Sequence, residues 1–168
     1  MSSHSDHLDP LGPDAYGRLV VLAGLTDIRS DMLGLMLRVH SIDHIWRCLR
    51  SGRSLAFARK SGAVLALPAV RAAQWGAEVR ASDPAAAARV HQRSGVHVLA
   101  IGQPGYPPSL DLLDDAPGVL FVQGDPSLLG APTAGQRSPG NRRAAIVGTR
   151  RATSYGRQIA PNARTVSG

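Results

Sequence analysis

The stretch that most constrains the fold is Ala144-Ala145-Ile146-Val147-Gly148-Thr149-Arg150-Arg151-Ala152-Thr153-Ser154-Tyr155-Gly156-Arg157-Gln158-Ile159-Ala160. A short apolar run stops at a glycine, crosses a polar turn and resumes with hydroxyl residues suited to capping a helix. This order predicts a buried strand, a tight loop and a helix start. Such a bend suits phosphate. Gly148 lets backbone N–H groups approach an anion, the helix N-terminus behind it carries a partial positive charge, and Arg150 and Arg151 add full charges with forked donors. It is not a Walker loop, because no Gly-Lys-Ser/Thr follows, and it lacks the second and third glycines of the dinucleotide fingerprint.

The charge distribution reinforces that reading. Met1 to Gln136 hold 12 basic and 12 acidic residues, whereas Arg137 to Gly168 hold seven arginines and no carboxylate, so the whole net charge of +7 surrounds the glycine loop. A basic face of this kind attracts polyphosphate, and nucleic acid is its commonest partner. All but Lys60 of the 19 basic residues are arginine, which codon usage could explain. Codon usage does not explain the missing acids.

Three blocks in register carry a family resemblance. The run I-V-G-T-R-x-A-T-x-Y-G at Ile146 to Gly156, the block Tyr106-Pro107 with Leu110, and the block Ala116-Pro117-Gly118-Val119-Leu120-Phe121-Val122-Gln123-Gly124-Asp125 resemble the DNA-processing protein A (DprA/Smf) family. The resemblance, strongest over residues 96 to 160, implies an α/β fold: a small N-terminal helical, sterile-alpha-motif-like bundle followed by a Rossmann-like domain. It also implies single-stranded DNA binding in natural transformation or recombination, protection of incoming strands and loading of the RecA recombinase, without catalysis. By the same resemblance Gly148, Thr149 and Arg150 contact the DNA phosphate backbone, with Arg151 and Arg157 as weaker candidates; Thr153 and Ser154 read as helix caps and Tyr155 as loop support. No cofactor or metal is expected.

After Gly156 this sequence departs from the family. Pro161 breaks the first helix early by removing a backbone donor, and the chain reaches Val166-Ser167-Gly168 and stops. The expectation is therefore an incomplete Rossmann-like domain in a truncated product. It would lack most of the parallel sheet, the second half of the DNA site, and the region the family uses for homodimerisation and RecA contact.

With 43% apolar and only 4% aromatic residues, the core should be mostly aliphatic. The single cysteine, Cys48, excludes an internal disulfide and a cysteine-based zinc cage, and reads as a small buried hydrophobe. No apolar run approaches the roughly 20 residues of a membrane helix, and residues 1–13 carry no signal-peptide pattern, so the expected location, by default, is the cytoplasm.

In chain order, residues 1–13 read as a disordered tail, 14–82 as the helical domain and 83–168 as the partial Rossmann-like domain, with a flexible linker at 130–143. From Asp14, Tyr16, Leu19, Val20 and Ala23 share a helical face that Gly24 ends. Ser30 can cap a second helix with Leu33, Leu37 and either Met32 or Met36 inward. Ser41 can cap a third with Ile42, Ile45, Trp46 and Leu49, closed by Gly52. Ser54 to Val79 reads as one or two more helices interrupted at Pro68, with Trp75 in the core or at a domain contact. Asp83-Pro84 starts another helix, running to Gly95. Val96 to Ile101 and Val119 to Gln123 read as strands, and Ser109 to Leu113 as one helical turn.

The remaining chemical candidates are weak. His40 and His44 lie four apart on a plausible helix, which puts them on one face with metal-ligand spacing, but no third ligand follows at a sensible distance. Asp114 and Asp115 read as turn residues. The lone thiol has no histidine partner in a recognisable constellation. Two competing readings stay open: a nucleotide-binding Rossmann-like enzyme of phosphoribohydrolase type, which needs an acid near the loop that residues 137–168 do not supply, and an inactive truncated fragment.

Overall fold

The computed structural model of the chain describes residues 11–59 and 61–129. Over these residues the protein is mixed α/β, with six helices and two two-stranded antiparallel sheets. Helix α1 (Pro13–Ala23) opens with proline in its first turn, where the missing N–H costs nothing. It buries Tyr16, Leu19, Val20 and Leu22, and Gly24 closes it with its N–H on the carbonyl oxygens of Val20 and Val21. In α2 (Ser30–Val39) Ser30, expected as the cap, is instead the first helical residue. Arg29 stands at the cap position and holds the Asp31 carboxylate at 3.0 and 2.6 Å. Leu33 and Met36 point inward, so Met36 and not Met32 is the buried methionine. Ser41 caps α3 (Ile42–Arg50) as expected, its Oγ accepting from the His44 N–H at 3.2 Å. This helix buries Ile42, Ile45, Trp46 and Leu49.

The helical expectation for residues 54–79 holds only after Pro68. Before it the chain forms a hairpin of β1 (Ala56–Ala58) and β2 (Val64–Ala66), paired Phe57 to Leu65, with Gly62 at φ +83° in the turn. The physical reason is the period of burial. Leu55 and Phe57 are buried and Ala56 is exposed between them, an alternation of two that a helix cannot present. The Leu67 N–H to Leu55 carbonyl bond at 2.8 Å and the Ser54 hydroxyl to Leu67 carbonyl bond at 2.6 Å extend the ladder past the strands.

Helix α4 (Ala69–Ala81) carries Trp75, which is 1% exposed and donates from Nε1 to the Thr26 carbonyl at 2.8 Å. Asp83 caps α5 (Pro84–Arg93) by accepting the Ala86 N–H at 3.0 Å, and Gly95 turns the chain out with φ +63°. Helices α1 and α5 touch so closely at Gly17 that a Cβ there would collide with the Pro84 carbonyl.

Strands β3 (Val96–Ala100) and β4 (Val119–Gln123) form the second sheet, in register Val98 to Phe121 and Ala100 to Val119. The α/β class is as expected; this pair runs antiparallel. Alternation along the strands places two clusters on opposite faces. Val98, Ala100 and Val119 join the main core of the helices. Leu99 and Ile101 form a second cluster with Tyr106 and Ala116. The short helix α6 (Pro108–Asp111) lies between the two strands in sequence, and a 3₁₀ turn follows at Pro126–Leu129. None of the helices is long and apolar enough to cross a membrane, among the described residues.

Candidate nucleic-acid interface

The phosphate-loop residues read from the sequence, Gly148, Thr149, Arg150, Arg151 and Arg157, lie outside the described residues. So do Thr153, Ser154 and Tyr155. The other two sequence blocks are described in full, and several of their residues have a local physical role.

Tyr106 is 6% exposed, and its hydroxyl donates to the Pro117 carbonyl at 2.5 Å, closing the connection between β3 and β4. Burial, with the Asp111 carboxylate adding to it, pushes the Tyr106 phenol above its ordinary pKa; the Arg38 guanidinium opposes the shift. Pro107 occupies the cap position of α6, and Leu110 packs on the second apolar cluster. The Tyr-Pro-x-x-Leu block is thus a folded corner that fixes the end of β3.

The second block starts with a close approach. A Cβ on Gly34 would lie 2.8 Å from the Ala116 carbonyl oxygen, and one on Gly118 would collide with the Gly34 backbone N. The Gly118 N–H donates to the Ser30 carbonyl at 2.8 Å, so α2 lies directly on the entry to β4. At the other end Gly124 takes φ +103°, open to glycine and strained for other residues. Asp125 then accepts the Ser127 N–H at 2.9 Å, and the Ser127 side-chain and backbone donors hold its carboxyl below the ordinary aspartate range.

Arg38 ties this region to α2. Its Nη1 lies 2.7 Å from Asp111 Oδ1 and its Nη2 donates to the Asp111 carbonyl at 2.8 Å. Asp114 and Asp115 fall in the turn ahead of Ala116, as read from the sequence.

The two histidines do not share a helix. His40 follows the end of α2 and His44 belongs to α3; the rings nevertheless stack with centroids 4.8 Å apart. His40 Nε2 lies 2.6 Å from the Ala56 carbonyl, and His44 Nε2 lies 3.5 Å from Cys48 Sγ. The thiol, buried as expected, therefore does have a histidine neighbour, one turn back on its own helix. No group of three or more His, Cys, Asp or Glu is placed to hold a metal, among the described residues.

An open cleft of about 350 Å³ runs past Leu11, Leu37, His40, Ile42, Ala100 and Gln103. The charged residues on its wall are already engaged, Arg38 with Asp111 and Asp43 with Arg18 at 2.5 Å. The described half of the region is therefore a scaffold. It presents shape and anchoring, and its polar groups mostly serve the fold.

Compared with known proteins, residues 97–165 match the family model of DNA recombination-mediator protein A. No curated protein and no solved structure matches the chain. The matched stretch contains the Tyr106 corner, the Gly118 to Asp125 block and the Gly148 loop, so the resemblance read from the three blocks holds. This part of the chain is thus similar to a family of DNA processing and recombination.

Proposed function

We propose that this chain, through its recombination-mediator segment, binds single-stranded DNA along the sugar-phosphate backbone, shelters incoming strands and passes them to a RecA-type recombinase, without performing catalysis itself. The observation that carries the reading is the run from Arg137 to Gly168, with seven arginines, no carboxylate and Gly148-Thr149-Arg150 inside it. Guanidinium forks suit phosphate oxygens, and without neighbouring acids their charge stays available to a ligand. Contacts of this kind are indifferent to base sequence and sensitive to salt.

Gel-shift or fluorescence-anisotropy titration with a short labelled single strand tests this. Arg150→Ala is expected to weaken binding at low salt and to reduce the slope of log affinity against log salt by about 0.7, the value for one phosphate contact on a single strand. An unchanged affinity and slope would remove the loop as the contact. Calorimetry with mononucleotides covers the enzyme alternative, in which a tight mononucleotide site would replace strand binding. Transfer to a recombinase is read by the rate of filament formation on a strand already covered by this protein.

A further inference from the structure

The zero balance of residues 1–136 conceals a segregation of charge. From His44 to Ala77 the sequence holds Arg47, Arg50, Arg53, Arg59, Lys60 and Arg71 and no aspartate or glutamate. Three guanidinium-bearing residues, Arg50, Arg53 and Arg80, come together at one place, the C-terminal end of α3. Because α3 turns Ile45, Trp46, Cys48 and Leu49 into the core, Arg47 and Arg50 lie on its exposed side. Past the helix, Gly52 turns with φ +70° and the Arg53 N–H bonds back to the Cys48 carbonyl at 2.8 Å, which keeps Arg53 against the helix end and exposed. Arg80 arrives from α4, its Nη1 donating to the Arg50 carbonyl at 2.9 Å. That approach is possible because α4 presents Gly76 to the Leu49 carbonyl, where a Cβ would collide.

The ion pairs of the described residues engage Arg18, Arg29, Arg38, Arg71 and Arg89; Arg47, Arg50, Arg53 and Arg80 take part in none of them. A purely structural role, complementing the negative end of the helix dipole, accounts for some of this charge. It fits Arg80 on the Arg50 carbonyl, whereas Arg47 reaches back into the first turn of α3, its Nε donating to the Asp43 carbonyl at 3.3 Å. It does not fit Arg50 and Arg53, whose side chains make no hydrogen bond among the described residues.

We propose that the C-terminal end of α3 is a second contact surface for nucleic-acid backbone, on the helical part of the chain and separate in sequence from the Gly148 loop, with Arg50 and Arg53 holding phosphates. The proposal takes its ligand, a single strand, from the function proposed above; the surface itself is argued independently of that loop.

The test is anisotropy of a labelled oligothymidine with the full chain, titrated from about 50 to about 200 mM salt. The double variant Arg50→Gln/Arg53→Gln is expected to weaken binding and to reduce the salt slope by about 1.4, two single-strand phosphate contacts. Arg50→Lys/Arg53→Lys keeps the charge and is expected to keep most of the slope, which a mere disturbance of the fold would not do. Affinity and slope equal to the parent's in the Gln variant would overturn the proposal, as would equal losses in the Gln and Lys variants. Arg150→Gln, measured beside them, separates the two claims. If it changes nothing while the α3 variant loses slope, the loop reading falls and this surface stands; the opposite result removes this surface alone. If the parent fails to bind the strand at all, both fall.

Discussion

Replacing Gly118 by alanine tests the packing argument most directly. A Cβ there would meet the backbone of α2: it would collide with the Gly34 N and lie 2.7 Å from Gly34 Cα and 2.8 Å from the Leu33 carbonyl carbon. None of these is the tip of a flexible side chain, so α2 as a whole must move off the start of β4. Movement would also stretch the Gly118 N–H bond to the Ser30 carbonyl, now 2.8 Å. Overpacking of this sort costs about 1–3 kcal/mol, and the loss of helix to strand contact argues for the upper half of that range. Gly12→Ala is the control. Nothing lies within 4 Å of its Cβ and its φ of −54° suits alanine, so the same chemical change should cost no more than about 1 kcal/mol, the preference for glycine over alanine at the cap position of α1. Urea unfolding followed by the fluorescence of the buried Trp46 and Trp75 reads both, the difference appearing as a lower midpoint at unchanged slope. Equal midpoints for the two variants would refute the close-packing account of this junction.

Two further substitutions probe the corner and the core. Tyr106→Phe removes the hydroxyl bond to the Pro117 carbonyl and is expected to cost about 1 kcal/mol in urea unfolding. Because burial raises the Tyr106 pKa, its neutral form is favoured in the folded state. The associated stability is fully present below the unfolded tyrosine pKa of about 10 and is lost as pH rises through the folded pKa. The parent should therefore lose more stability than the Phe variant between about pH 9 and 11, and parallel curves would contradict the shift. Trp75→Ala empties a site 1% exposed and orphans the Thr26 carbonyl, for an expected loss of about 3–5 kcal/mol by the same measurement; a loss under about 1 kcal/mol would mean that the indole is not part of the core.

What the sequence made legible was local chemistry. The Ser41 and Asp83 caps, the Gly24 stop and the strands at Val96 and Val119 depend on a few neighbouring residues, and all are found where read. The β1–β2 hairpin was not legible because its alanines satisfy a helical pattern equally well. Only burial of Leu55, Phe57 and Leu67 against the rest of the protein selects the alternation. The spacing of His40 and His44 suggested one helix, whereas the cap at Ser41 divides them and side-chain stacking reunites them. The ion pair of Arg38 with Asp111 joins residues far apart in sequence, and no local rule could have matched them. The acid-free run from His44 to Ala77 was visible in the sequence, but counting charge over 136 residues averaged it away.

The fit of Gly34 against Gly118 bears on how the protein can be dissected. A piece expressed from residue 97 onward would carry the matched family segment into solution with Val98, Ala100 and Val119 stripped of their partners on the helices. Loss of strand binding in such a piece would report poor solubility before it reported anything about the arginine loop, so functional mapping of this chain is better done by side-chain exchange than by cutting.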